Sequence, residues 1–332
     1  SELALLPGSP SSAIGTSRDH LEPADYDAIA ARLQAGEVGI VCFNGGNGSM
    51  DACGRLYEAC CRQGADVRVV GIPKTMDNDI AVTDHAPGYG SAARYMAGSV
   101  AEVCCDVRGL PIHVVVIEAM GRSAGWVAAA SALAEECGTG GPDLIYLPER
   151  AFDEARFLSD VRQLIAQKGC GVVVASEGLC GQDGAPLVAP VMTVGRATYF
   201  GDVSAHLAQL IVQKLGYKAR SEKPGLLGRA SIAWQSEIDR QEAELAGREA
   251  VKAACAGATG VMVGFRRHEG AVYAVSLECI PIEQVMLAEK KMPEEFINQA
   301  GNGVTESFKA WCRPLVGPLP RFVSFQKGGR LK

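Results

Sequence analysis

Residues 71–80, GIPKTMDNDI, put Asp77 and Asp79 two positions apart, beside Asn78, Thr75 and Lys74, straight after an apolar run. Clustered carboxylates repel one another. They are tolerated where a divalent cation sits between them, or where one accepts the proton of a hydroxyl. Lys74 adds positive charge at the same place. The plainer alternative is a solvated turn with an Asx cap into the next segment. The position favours chemistry, because the cluster follows a strand just as a glycine-rich loop does one unit earlier. Loops at neighbouring strand ends meet in space, and α/β sheets bind ligands there.

That earlier loop is FNGGNGSMD, residues 43–51. Its glycines let the backbone approach a ligand, and the helix it opens favours negative charge at its N-terminus, so a phosphate is the natural guest. A tight turn with Ser49 as helix cap would need the same residues. Two further strand ends are unusual. EAMGRSAGW (118–126) holds Arg122 on a turn between two glycines, suited to an anionic ligand or to capping a helix. ASEG (175–178) presents Glu177, able to bind sugar hydroxyls or pair with an arginine. KARSEKPGLLGR (218–229) gathers Lys218, Arg220, Lys223 and Arg229, which alone reads as a solvated surface run.

The elements that position these loops are short and regular. VGIVCF (38–43), VRVVGI (67–72), IHVVVIEAM (112–120), DLIYLP (143–148) and GVVVASEG (171–178) are continuous β-branched runs, as strands covered on both faces should be. Segments 48–63, 90–106, 123–136 and 153–168 between them read as helices, as do 204–216 and 237–257. TGVMVGFRR (259–267) and AVYAVSLE (271–278) read as a strand pair joined by HEG. The tail RPLVGPLPRFVSFQKGGRLK reads as extended along the surface. Alternating β and α segments predict an α/β fold with one or two doubly wound, mostly parallel sheets.

Composition narrows the function classes. The chain has 332 residues, 48% hydrophobic and 21% charged, with net charge −6. A mildly acidic chain is a poor non-specific partner for nucleic acid or anionic membrane. No run approaches the roughly 18 apolar residues of a membrane span, and the start has no signal-peptide pattern. The 12 cysteines form no CxxC and the five histidines have no metal-ligand spacing. These features predict reduced, mostly buried thiols in a cytoplasmic protein.

GGNGS, PKTMDND, PGYGSAARY and MGRSAGW, in that order, with SEG and GNGVTESF further on, resemble the phosphofructokinase superfamily over about residues 5–325. The resemblance implies two doubly wound domains with an interdomain active-site cleft. A phosphoryl-donor domain would take 1–88 plus 229–280, and a fructose 6-phosphate domain 89–228 plus 281–325. It also implies a glycolytic kinase that phosphorylates the 1-hydroxyl of fructose 6-phosphate. Asp77 would be the general base, with Thr75 and Lys74 positioning and neutralising the transferred group. Arg122 would stabilise charge on that group. Asp79 and Asn47 would hold Mg²⁺. Arg18, Gly46, Asn47, Gly48 and Ser49 would line the donor. Thr75, Asp77, Met120, Gly121, Arg122, Glu177, Arg220 and Arg229 would bind the sugar phosphate. Arg220 would reach in from a neighbouring subunit of a homodimer or homotetramer.

Two features of the pattern bear on the donor. Lys74 before TMDND is the pyrophosphate-type residue, whereas Gly48 is the ATP-type residue where pyrophosphate enzymes carry an aspartate. The wider pattern resembles the pyrophosphate-type subgroup, which favours pyrophosphate slightly over ATP. The chain also departs from the family. The sequence given starts after the family's first strand and glycine loop, which a longer chain would supply, Asn47 replaces a metal-binding aspartate, and Ser11 and Ser12 replace glycines. His113 stands in place of a basic residue, and Leu226 in place of an aromatic or histidine. A homologue that binds sugar phosphate with weak turnover is the alternative these departures keep open.

Overall fold

The computed structural model describes residues 2–323 except 11, 12, 16, 18, 195 and 196. In chain order the strands among them are β1 (Ile40–Gly45), β2 (Arg68–Pro73), β3 (Val114–Ala119), β4 (Leu144–Tyr146), β5 (Gly171–Ser176), β6 (Pro190–Val194), β7 (Ala197–Phe200), β8 (Ala219–Glu222), β9 (Val261–Arg267) and β10 (Val275–Pro281). The α-helices are α1 (Pro23–Ala35), α2 (Asn47–Gln63), α3 (Tyr89–Asp106), α4 (Trp126–Ala130), α5 (Glu154–Lys168), α6 (Val203–Leu215), α7 (Leu226–Arg229), α8 (Glu237–Cys255) and α9 (Glu306–Val316). No helix among the described residues is long and apolar enough to cross a membrane.

The chain divides into two compact units, Ser1–Tyr89 with Glu237–Lys290, and Gly90–Ser236 with Lys291–Lys332. The sequence-based boundaries at 228/229 and 280/281 differ from these. Residues 281–290 stay with the first unit because Ile282 and Val285 join its core and Ile80 forms an antiparallel bridge to Glu289.

In the first unit the sheet order is β1-β2-β9-β10, with β1, β2 and β9 parallel and β10 antiparallel. Val69 lies in one buried cluster, with Met50, Cys53, Leu56 and Ala59 of α2, and Val70 in another, with Ala250 and Ala254 of α8. Successive strand residues point to opposite faces, so a run of valines predicts cover on both. Helix α2 stops at Gly64, whose φ of 64° is the left-handed C-cap that glycine adopts without a Cβ penalty.

In the second unit the order is β4-β5-β3-β8, all parallel. Strands β3, β4 and β5 are buried throughout, and Phe157, Val161 and Leu164 of α5 pack with Leu207 and Ile211 of α6 in their core. Helix α5 starts at Asp153, whose side chain accepts the Arg156 N–H at 3.0 Å.

Several expected elements differ. The helix over 123–136 is a short α4 followed by a 3₁₀ segment, Ser131–Cys137, with Gly138 left-handed at its end. The HEG connection lengthens to 268–274. Residues 313–316 belong to α9 rather than an extended tail, because Phe308, Cys312, Leu315 and Val316 form one buried stripe. Helix α1, the β6–β7 hairpin and β8 carry weak apolar patterns and go unread in the sequence. All 12 cysteines are free, but only Cys53, Cys60, Cys104, Cys137 and Cys312 are buried, so the thiols are not mostly buried. Cys42, for example, lies on an exposed face of the edge strand β1.

A buried polar network ties α8 to the first unit's sheet. His85 is 1% exposed; its Nδ1 lies 2.8 Å from Asp84 and its Nε2 2.6 Å from Glu242. Tyr273 donates to Glu242 at 2.6 Å, and Arg267 donates to Asp84 at 3.1 Å while stacking on Tyr273. Burial alone would lower the His85 pKa, but the Asp84 and Glu242 hydrogen bonds outweigh it and hold the imidazolium above its ordinary range. A raised histidine pKa contributes stability below the unfolded value and loses it as pH rises through the folded value. Chemical unfolding across about pH 6 to 9 should therefore show stability falling with pH, and falling less steeply in His85→Gln.

Candidate active site

The two strand-end loops of the first unit are joined atom by atom. At Gly45 a Cβ would lie 2.1 Å from Ser49 Oγ, so only glycine lets the first turn of α2 fold back over the end of β1. The helix cap is Gly46, not Ser49, which lies inside the first turn with its N–H on the Gly46 carbonyl at 2.9 Å. The Lys74 N–H donates to the Gly45 carbonyl at 2.9 Å, pinning the acidic loop beside the glycine loop. Asn47 then reaches across, donating from Nδ2 to Asp79 Oδ2 at 2.8 Å and to the Asp79 carbonyl at 3.2 Å.

Within the acidic loop, Thr75 Oγ1 donates to Asp79 Oδ1 at 3.3 Å and accepts the Asp77 N–H at 3.1 Å. Asn47, Thr75, Asp77 and Asp79 thus form one hydrogen-bonded cluster. Burial raises the Asp79 pKa, and Glu289 adds to this. Hydrogen bonds from its own backbone, Thr75 and Asn47 oppose it. Asp77 Oδ1 is shut off from solvent. The side chain of Lys74 is exposed.

The amide oxygen of Asn47 stands out: Asn47 Oδ1 is buried and accepts no hydrogen bond among the described residues. The amide's orientation is fixed, since Nδ2 faces two acceptors. A buried amide oxygen next to a carboxylate suits a hard cation. Among the described residues no group of three or more His, Cys, Asp or Glu could hold a metal ion. Asn47 and Asp79 fit a cation that completes its shell with ligand and water oxygens.

The loop carries backbone strain. Asn78 has φ 53° and Val82 φ 68°. Asparagine tolerates that region, but a β-branched residue there costs about 1–3 kcal/mol and persists only where its surroundings hold it. Thr83 supplies part of the hold, donating to the His85 carbonyl at 2.8 Å and accepting the Phe265 N–H at 2.9 Å.

In the second unit, the Met120–Arg122 turn follows β3. Gly121 has φ 116°, and a Cβ there would lie 2.7 Å from the Ala124 carbonyl. Its N–H donates to Glu177 at 3.2 Å, and Ser176 donates to its carbonyl at 2.6 Å. Glycine is equally required at 178, where a Cβ would sit 2.0 Å from the Arg122 carbonyl. These contacts join Gly121, Arg122 and Glu177. Met120 precedes them, half-buried. Glu177 pairs with a backbone N–H, not an arginine. Gly125, not Arg122, caps α4. The Arg122 guanidinium is exposed and lies 5.0 Å over the Phe200 ring.

The basic segment 218–229 divides. Lys223 is a tie, 3.1 Å from the buried Glu118 and paired with Asp202. Glu118 also accepts the Ser204 N–H at 3.0 Å, which anchors the segment to β3 and the start of α6. Arg220, on the edge strand β8, and Arg229, closing α7, are exposed and have no ion-pair partner among the described residues. His113 Nδ1 accepts the Lys218 N–H at 3.0 Å, and Leu226 is 71% exposed. Arg18, Ser11 and Ser12 lie outside the described residues.

A family model described as phosphofructokinase matches residues 3–254. The chain belongs to the phosphofructokinase family. It is 36% identical, over 98% of its own length and 82% of its relative's, to a pyrophosphate–fructose 6-phosphate 1-phosphotransferase of Xanthomonas campestris pv. campestris (strain B100). It is 33% identical to a sulfofructose kinase of Alkalicoccus urumqiensis, over 97% and 83% of the two chains. A pyrophosphate-dependent phosphofructokinase from Nitrosospira multiformis superposes with a TM-score of 0.86 at 31% identity, covering 98% of this chain and 79% of that one. The α/β architecture of parallel sheets is the phosphofructokinase fold.

Sequence reasoning missed Lys290, Glu242 and Glu118. Lys290 and Glu242 are each one charge among several in a polar stretch, and Glu118 ends an apolar strand; only the fold brings them against the loops they tie. The one available signal for Lys290 is that it lies within the polar run AEKK.

Proposed function

We propose that this chain transfers a phosphoryl group from pyrophosphate to the 1-hydroxyl of fructose 6-phosphate, giving fructose 1,6-bisphosphate and orthophosphate. The hydrogen-bonded cluster of Asn47, Thr75, Asp77 and Asp79 carries the reading. It offers a base and a desolvated acidic pocket on adjoining loops, which is what phosphoryl transfer requires of a protein. Asp77 takes the proton of the sugar hydroxyl as that oxygen attacks. Thr75 positions the attacked phosphoryl group, held by its bonds to Asp79 and the Asp77 N–H. Arg122 and Lys74 stabilise the charge on the transferring group and on the departing phosphate.

Asn47 Oδ1 and Asp79 would hold Mg²⁺, which when bound neutralises charge on the donor phosphates. The Gly46–Ser49 turn and Arg18 receive the donor, with backbone N–H groups and the α2 N-terminus favouring its charge. Met120, the Gly121 N–H and Glu177 orient the sugar ring. Arg220 and Arg229 take the 6-phosphate, their uncommitted guanidinium groups suiting bidentate contact. On this reading Arg220 serves a neighbouring copy, so the working assembly is a homodimer or homotetramer.

Support for pyrophosphate comes from four relatives named pyrophosphate–fructose 6-phosphate 1-phosphotransferase, at 33–36% identity over at least 95% of the chain. Gly48 is the feature that leaves room for ATP, since a Cβ there meets nothing within 4 Å. An aspartate at 48 therefore enters open space without disturbing the fold. Gly48→Asp should leave chemical unfolding unchanged, suppress any ATP-dependent turnover and spare pyrophosphate-dependent turnover. Unaltered ATP kinetics in that variant would disprove the steric account.

The functional test supplies fructose 6-phosphate, Mg²⁺ and either donor, with sulfofructose as a second acceptor. Product is expected with pyrophosphate and fructose 6-phosphate. Asp77→Ser should lower kcat by about 10²–10⁴ from loss of the base, with the fold intact. Near-normal turnover in Asp77→Ser would show that the base is misassigned. No product with either donor would leave a sugar-phosphate binder as the better description.

A further inference from the structure

The acidic loop is not held by its own residues alone. Asn78 and Val82 are both at positive φ, and Val82 is a residue that avoids that conformation. Lys290, over two hundred positions away, grips the chain around both. Its backbone N–H donates to the Asp79 carbonyl at 2.7 Å. Its Nζ donates to Asn78 Oδ1 at 3.2 Å, to the Thr83 carbonyl at 3.0 Å and to the Asp84 carbonyl at 2.8 Å. An ammonium group has three protons, and three acceptors converge on this one. Asn78 Oδ1 also accepts the Ala86 N–H at 3.2 Å, which extends the grip along the loop. The acceptors are anchored in turn, since Asp84 and His85 are fixed by Arg267 and Glu242.

We propose that Lys290 is a positioning residue for phosphoryl transfer, whose three donors hold the left-handed turns at Asn78 and Val82 and thereby set Asp77 and Asp79. The proposal rests on the roles given to those aspartates above. Lys290 touches neither substrate in this account; it acts through the loop. The group is part-buried, and the three acceptors stand in for the water it gives up, so the contact fixes a geometry rather than filling space.

The decisive variant is Lys290→Met, which keeps the stem and removes all three donors. Lys290→Arg keeps the charge, but a planar fork cannot serve three acceptors converging on one point. Steady-state kinetics and amide hydrogen exchange are measured for both variants and for the wild type. Both should lose about tenfold to a hundredfold in kcat, as expected from a displacement of about 1 Å at the reacting groups. KM for fructose 6-phosphate should stay within about threefold, since the sugar grip lies on other residues. Exchange should rise about tenfold across 75–86 and stay unchanged elsewhere in the unit.

Three results would overturn the proposal. The first is kcat within about twofold of wild type in folded Lys290→Met. The second is wild-type kinetics in Lys290→Arg, which also decides the matter if the Met variant does not fold. The third is exchange that rises throughout the unit, which is the mark of a structural tie alone. A wild-type chain without turnover would defeat the functional reading itself, whereas the exchange experiment still decides whether Lys290 holds the loop.

Discussion

Two carboxylates and an amide oxygen, drawn together at adjoining strand ends and partly withdrawn from water, are the arrangement the rest of the first unit serves. Its charge is disfavoured where it stands, because burial raises the Asp79 pKa and Glu289 adds to this. Asn47 restrains it by donating to Asp79 from the neighbouring loop. That hydrogen bond exists only because β1 and β2 are parallel neighbours with their carboxyl ends level, Gly45 opposite Pro73. Strand register, glycine loop and acidic loop are therefore one requirement expressed three times.

The second unit solves a different problem, the presentation of cations. Arg122 rides on a turn whose glycines cannot be replaced, because Gly121 is at positive φ and Gly178 abuts the Arg122 carbonyl. The carbonyl and N–H groups of that turn are satisfied by Ser176 and Glu177. Its exposed guanidinium group stacks on Phe200. Arg220 and Arg229 have no ion-pair partner among the described residues, whereas their segment is fixed by the β3–β8 ladder and by Lys223 on the buried Glu118. Dividing the basic residues in this way ties the segment down while two guanidinium groups stay exposed.

The sequence made much of this legible where local rules suffice. Short valine-rich runs predict buried parallel strands, and the order of glycine, acidic and arginine loops predicts which strand ends matter. What stayed hidden depends on contacts distant in sequence. Lys290 and Glu242 look like any surface charge until the fold places them beneath the loop at 78–85. Ser49 reads as a helix cap because serine favours that position, yet the cap is Gly46 and serine fills the space over Gly45. Cysteines read as buried because the residue type usually is, whereas Cys42 lies on an exposed edge-strand face. The 313–316 segment reads as loop because of its proline, but the apolar stripe from Phe308 to Val316 overrides it in the last turn of α9.

The central claim is that the Asn47–Asp79 cluster receives a phosphate donor together with a divalent cation. Calorimetric titration of the wild-type protein with pyrophosphate, once with Mg²⁺ and once with a chelator, tests it without relying on turnover. The account predicts at least about tenfold tighter binding with Mg²⁺, since the carboxylates would otherwise repel the donor. Equal affinity in the two titrations would contradict it.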